Sequence, residues 1–219
     1  MVDPQLLADV DLFSDFTAEE LAELAGGAEI RTLRRGDVLF TEGSEPTELF
    51  VVLTGRLAIA NRSIDGRESV VALMEPGMAT GEMGLFLGEG RTAEARALEP
   101  SEVVAVSYEP VRAVYEARPQ LLWSVVQLLS ARIRTMDGAL ADAVFLDVTG
   151  RTAKRLLEMA GDGDEFTMPV TQEELAGMVG ASRERVNKAL AQFVRLGWID
   201  QNDRRYRITN RQQLEIRAR

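Results

Sequence analysis

The 219-residue sequence carries 25 Lys+Arg against 35 Asp+Glu, a formal net charge of −10, with 46% hydrophobic and 27% charged residues and neither cysteine nor histidine. That composition suits a folded globular protein, and the length leaves room for one large or two modest domains. The missing residue types exclude a disulfide, a thiolate or imidazole metal site, an iron-sulfur cluster on protein sulfur and any nucleophile paired with a histidine base. A carboxylate pair is the main acid-base option left and none stands out, so no catalytic and no metal-binding residue is assigned.

The chain starts MVDPQLLADVDLF, with acidic groups and a proline where a secretory signal would carry basic residues and an apolar run. The charge-free stretch PQLLWSVVQLLSA, residues 119 to 131, falls well short of the roughly 20 apolar residues that span a bilayer. A cytoplasmic protein with no membrane partner is expected.

From about 29 to 108, short apolar or β-branched runs alternate with glycine turns: DVLF (37 to 40), ELFVVL (48 to 53), RLAIAN (56 to 61) and SVVALM (69 to 74), punctuated by Gly36, Gly43, Gly55, Gly66 and Gly77. Such spacing predicts a β-sandwich or small barrel, with a hairpin turn at Asp65-Gly66. The segment GEMGLFLGEGRTAEARA (81 to 97) reads either as a plain loop or as an anion cradle opening a short helix at Gly84-Leu85-Phe86. In the cradle, backbone donors and the planar fork of Arg91 suit a phosphate, Glu82 accepts from a sugar hydroxyl, and Thr92 adds a hydroxyl. The alternative pairs Glu82 with Arg91 across a turn.

After Pro119 the apolar positions Leu122, Val126, Leu129, Ile133, Met136, Leu140 and Ala143 fall 4, 3, 4, 3, 4, 3 apart. That heptad seam predicts a long helix with a second copy as partner; packing of the stripe on the chain's own barrel is the other reading.

From 148 the charge changes sign: residues 148 to 219 hold 13 Lys+Arg against 10 Asp+Glu, a net of +3, and residues 181 to 219 hold 10 against 4, a net of +6. Within TQEELAGMVGASRERVNKALAQFVRLGWI (171 to 199), Thr171 and Glu174 form a capping-box pattern, Gly180 and Ala181 a turn, and Ser182 the cap of a second helix. Val186, Leu190 and Phe193 give that helix a buried face, leaving Arg183, Glu184, Arg185 and Lys188 for DNA. Arg183 and Lys188 suit guanine edges, Glu184 a cytosine amine, and Arg185 a phosphate. WIDQNDRRYRIT (198 to 209) predicts a hairpin wing turning at Asn202-Asp203, with Arg204, Arg205 and Arg207 facing DNA.

With both ends read, RRGDVLFTEG (34 to 43), the GEMGLF and RTA cassette (81 to 93), FLDVTGR (145 to 151) and the helix-turn-helix together resemble the bacterial cyclic-AMP receptor and FNR family of transcription regulators. The resemblance implies an α+β chain of two domains: a jelly-roll-like cyclic-nucleotide barrel with N-terminal helices (1 to 118), a dimerisation helix and hinge (119 to 147) and a winged helix-turn-helix (148 to 219). It further implies a homodimer on a palindromic TGTGA-like site, its reading helices about 34 Å apart, controlled by cAMP or cGMP and working with RNA polymerase. Lys188, often Arg in the family, resembles the actinobacterial members. The implied ligand set is Gly81, Glu82, Met83, Gly84, Arg91 and Thr92, and the implied DNA set is Ser182, Arg183, Glu184, Arg185, Lys188, Arg204 and Arg205.

Two further implied ligand positions depart from the family pattern. Met136 and Asp137 fall where cAMP-binding members usually carry Thr followed by Ser or Asn, and a carboxylate at Asp137 would suit the adjacent donors of guanine better than adenine. In the hinge, Asp147 or Thr149 would cap the next helix and Gly150 would add backbone freedom. A regulator of the same family that responds to another ligand or to none is the alternative; a barrel enzyme and a nucleotide module without DNA remain as further readings.

Overall fold

The structure is a computed structural model describing residues 2–62 and 68–219. The turn expected at Asp65-Gly66 lies outside them. The chain forms two compact units, Met1–Ile133 and Arg134–Arg219.

The first unit opens with helices α1 (Gln5–Ala8) and α2 (Ala18–Gly26), the second started by a Thr17/Glu20 capping box. Among the described residues eight strands follow: β1 (Glu29–Leu33), β2 (Val38–Phe40), β3 (Glu48–Thr54), β4 (Leu57–Arg62), β5 (Glu68–Met74), β6 (Ala79–Thr80), β7 (Glu94–Ala97) and β8 (Ser101–Ser107). They pair antiparallel into two four-stranded sheets of order β1-β8-β3-β6 and β2-β7-β4-β5, the jelly-roll arrangement expected from the resemblance.

The centre of β3 is buried on both faces. Leu49 and Val51 join a helical layer with Phe13, Leu24, Val111 and Tyr115, while Phe50 and Val52 face the barrel interior with Leu57, Met74 and Val103. Two buried faces explain why ELFVVL reads as a continuous apolar run. Between β6 and β7 lies the short helix α3 (Glu82–Leu87), and after β8 comes α4 (Tyr108–Ala117).

Helix α5 (Leu122–Phe145) crosses from the first unit into the second. One stripe of it, Val125 with Leu128 and Leu129, packs on the first unit's core. The heptad positions otherwise stay open in the single chain: Val126 is 46% exposed, Ile133 58%, Met136 68% and Leu140 65%. Only Leu129 of the seam turns toward the barrel.

The second unit continues with α6 (Val148–Ala160), β9 (Glu165–Thr167), α7 (Gln172–Val179), α8 (Arg183–Arg195), β10 (Ile199–Asn202), β11 (Arg205–Ile208) and α9 (Arg211–Arg217). Asp147, not Thr149, caps α6 by accepting from the Gly150 N–H at 2.8 Å. Gly150 is no hinge: it sits inside α6, where an added Cβ would stand 2.9 Å from the Arg217 carbonyl of α9. Close helix contact is what requires glycine there. The wing has three strands, β10-β11-β9, rather than a hairpin alone. Its turn is shifted by one residue from expectation: Asn202 pairs with Arg205, which leaves Asp203 (φ 54°) and Arg204 as the turn.

Candidate ligand pocket and nucleic-acid interface

The cassette is built around Arg91, only 7% exposed. Its backbone is fixed in the loop between α3 and β7 by bonds to Gly43 and Ser44. The guanidinium donates from Nη1 to the Gly81 carbonyl (3.0 Å) and the Tyr108 hydroxyl (2.9 Å), and from Nη2 to the Glu48 carbonyl (2.6 Å). It lies 4.3 Å from the Phe40 ring centroid and 5.5 Å from that of Phe50. The Tyr108 hydroxyl donates onward to Gly81, and burial raises its pKa. Gly81 is left-handed (φ 86°), and a side chain there would meet Arg91 Nη1 at 2.5 Å.

Among the described residues Arg91 has no carboxylate partner, and its Nε is buried with no hydrogen-bond acceptor. Three of a guanidinium's five N–H donors are used, which leaves two, Nε–H among them, for an anion. A buried cation without a counter-ion is costly, and an arriving phosphate would supply the missing charge.

Glu82 does not pair with Arg91. Its side chain, 2% exposed, is ion-paired with Arg132 of α5, and Arg132 also donates to the Ala79 carbonyl at 3.1 Å. Arg132 was not expected from the sequence. Its one local signal is position: it ends the barrel-facing stripe Val125, Leu128, Leu129 at helical spacing. The α3 helix begins at Glu82 rather than at Gly84, and a Cβ on Gly84 would meet the Tyr108 hydroxyl at 2.7 Å. Close packing therefore accounts for that glycine. Thr92 is exposed and its hydroxyl lies 3.8 Å from the sulfur of Met83. Met136 and Asp137 belong to the second unit, both exposed on α5.

In the second unit, Thr171 and Glu174 form the expected capping box at α7, Gly180 ends that helix in the left-handed region (φ 67°), and Ser182 caps α8. Val186, Leu190 and Phe193 are buried, which leaves Arg183, Glu184, Arg185 and Lys188 exposed on the opposite side. Glu184 pairs with Lys188 one turn on at 2.7 Å, and that ammonium lowers its carboxyl pKa. Arg207 pairs with Glu165 at 3.1 Å, and Arg204 bonds the Met168 carbonyl.

Arg151 of α6 was also missed. Its Nη1 reaches the Leu146 carbonyl at 2.7 Å and its Nε reaches the carbonyl of Val179, the last residue of α7, at 2.7 Å.

Two family descriptions match the chain: "Cyclic nucleotide-binding domain" over residues 30–118 and "Crp-like helix-turn-helix domain" over residues 150–217. The CRP-like cAMP-activated global transcriptional regulator of Mycobacterium tuberculosis is 33% identical over 222 residues, covering 98% of this chain and 99% of its own. The chain belongs to the cyclic-AMP receptor and FNR family of transcription regulators. Salmonella typhimurium carries a similar member, the cAMP-activated global transcriptional regulator CRP, 31% identical over 159 residues that span 69% of this chain and 76% of its own. The fold matches that of FixK2 from Bradyrhizobium japonicum with a TM-score of 0.79 at 20% identity, over 88% of this chain and 98% of that one.

As a family member the chain is a regulator and not an enzyme. Among the described residues no helix is long and apolar enough to cross a membrane, and no cluster of side chains could hold a metal ion.

Proposed function

We propose that this regulator works as a homodimer on cytoplasmic DNA, binding a TGTGA-like inverted repeat under control of a cyclic nucleotide at the Arg91 cassette. Arg91 carries the reading: a buried cation with no carboxylate partner among the described residues and an unused Nε–H suits a cyclic phosphate. Glu82, beside it, keeps free acceptor capacity for a ribose hydroxyl even while Arg132 is bound. Gly81, Met83, Gly84 and Thr92 complete the cassette.

The relatives named as cAMP-activated favour cAMP. Asp137 favours cGMP as a second reading, because a carboxylate accepts from two adjacent donors. On DNA, Arg183 and Lys188 take guanine edges, Glu184 a cytosine amine, and Ser182, Arg185 and Arg205 the backbone. The open seam on α5 supports a second copy as partner, and RNA polymerase is the machinery such a dimer would engage.

Calorimetric titration with cAMP and with cGMP, beside a gel shift on a TGTGA-type palindrome with and without nucleotide, tests the reading. Binding of one nucleotide together with a nucleotide-dependent shift is expected. A specific shift that neither nucleotide alters, with no heat of binding, overturns the ligand assignment; loss of specificity overturns the site.

A further inference from the structure

We propose that Arg204 is a positioning residue that ties the wing to the strap entering the helix-turn-helix, and that it makes no phosphate contact. Its location at the wing turn, next to Arg205, suits a charge aimed at DNA. Two of its five N–H donors, those on the Nε and Nη2 edge that would grip a phosphate in bidentate fashion, are committed elsewhere. Nη2 and Nε both reach the Met168 carbonyl, at 2.8 and 3.3 Å, while the Met168 N–H donates to the Arg204 carbonyl at 2.7 Å.

One residue therefore engages both backbone groups of Met168. That grip lies just beyond the last ladder pair, Thr167 with Arg205. Met168 is 3% exposed and is followed by Pro169, buried Val170 and Thr171, the cap of α7. The strap between sheet and helix is thus pinned at Met168 by Arg204 and at Thr171 by the capping box. Arg183, Arg185 and Arg205 differ: among the described residues none of their side chains makes an ion pair or a hydrogen bond, so their forked edges stay open. Fixing the strap fixes where α7 begins, and α7 packs against the reading helix.

The inference rests on the proposed placement of the wing against DNA, and salt dependence separates the two. Each phosphate contact contributes about 0.9 to the slope of log K against log salt. Arg204→Ala and Arg205→Ala would be compared with the unaltered protein on a TGTGA-type duplex and a mixed-sequence duplex of equal length. Equal affinity of the unaltered protein for the two duplexes would count against the proposed site while leaving the slopes comparable. Arg205→Ala should lower the slope by about 0.9 per copy bound.

Arg204→Ala should weaken binding about tenfold, keep the slope, and speed amide hydrogen exchange from Met168 to Thr171 in the free protein. A lower slope overturns the inference, as does unaltered affinity or unaltered exchange. Arg204→Lys repeats the test if the alanine variant does not fold: it retains charge but not the forked grip, so weaker binding with faster strap exchange is expected. Full rescue of binding and exchange by lysine would overturn the inference.

Discussion

Replacing Arg91 with methionine should separate the stability of the empty barrel from its response to ligand. The guanidinium is 7% exposed and makes three hydrogen bonds to neutral acceptors. Bonds of that kind contribute about 1 to 3 kcal/mol each. Against them stands the cost of burying an ion without a counter-ion, several kcal/mol. The two nearly offset, so the empty variant should unfold within about 2 kcal/mol of the unaltered protein. Binding sums differently. Losing one partner of a buried charge pair costs about 2 to 5 kcal/mol, which is roughly 30-fold or more in Kd.

Thermal unfolding with and without the nucleotide reads both quantities. At a concentration 100 times the unaltered protein's Kd, ligand should stabilise that protein by about 2.7 kcal/mol, roughly 5–10 °C in Tm. A variant with about 100-fold weaker binding sees ligand near its own Kd and gains only about 0.4 kcal/mol, or roughly 1 °C. Arg91→Lys should fall between, because lysine keeps the charge and loses the planar fork. A methionine variant that keeps the full shift would refute the assignment of Arg91 to the phosphate.

Arg132→Met strips the 2%-exposed Glu82 of its ion partner and should lower stability by about 1–3 kcal/mol, less than for a fully buried pair because the Arg132 side chain is 36% exposed. Glu82→Gln in the same chain should recover part of that loss, and simple additivity in a urea double-mutant cycle would contradict the pairing. Asp147 is held below its ordinary 3.8, first by the Gly150 N–H and then by Arg217. A lowered folded pKa gives stability that is complete above the ordinary value and lost as pH falls through the folded one. Asp147→Asn should therefore be less stable at neutral pH yet lose less on acidification below about pH 4, and acid titrations with parallel slopes would disprove it. Leu140→Glu places a charge on a seam position that is 65% exposed, and sedimentation should then report a monomer with an unchanged barrel transition. A persisting dimer would remove the seam from the interface.

Local chemistry was legible in the sequence, and distant partnership was not. The Thr171 capping box, the Ser182 cap, the β3 run and the heptad each rest on residues within a few positions of one another, so propensity and period reveal them. Arg91 could be read as an anion ligand from its cassette, but its clasp could not: Phe40, Phe50, Glu48 and Tyr108 come from two separate strands and the start of α4. Arg132 and Glu82 lie 50 positions apart, and nothing near either names the other. Gly150 misled because glycine suggests freedom, whereas here it is demanded by an approaching neighbour. Helix α9 and strand β9 escaped notice because short polar segments take their form from tertiary contacts.

The long helix carries a commitment within each unit. In the first, Arg132 bonds Glu82 and the Ala79 carbonyl beside the cassette. In the second, Asp142 pairs with Lys154 of α6 at 2.5 Å, and the Leu146 carbonyl just beyond the helix accepts from Arg151, which also bonds the carbonyl of Val179 at the end of α7. On the proposed reading, a ribose hydroxyl shares the Glu82 carboxylate with Arg132, so ligand changes how firmly the first unit holds the helix. On the same reading, DNA acts on the second unit through α8 and, next to it, the end of α7 that Arg151 holds. Two ligands biasing one element must bias each other equally, so whatever factor nucleotide adds to DNA affinity, DNA must add to nucleotide affinity. Such coupling needs no contact between nucleotide and reading helix, only one element that both ligands bias.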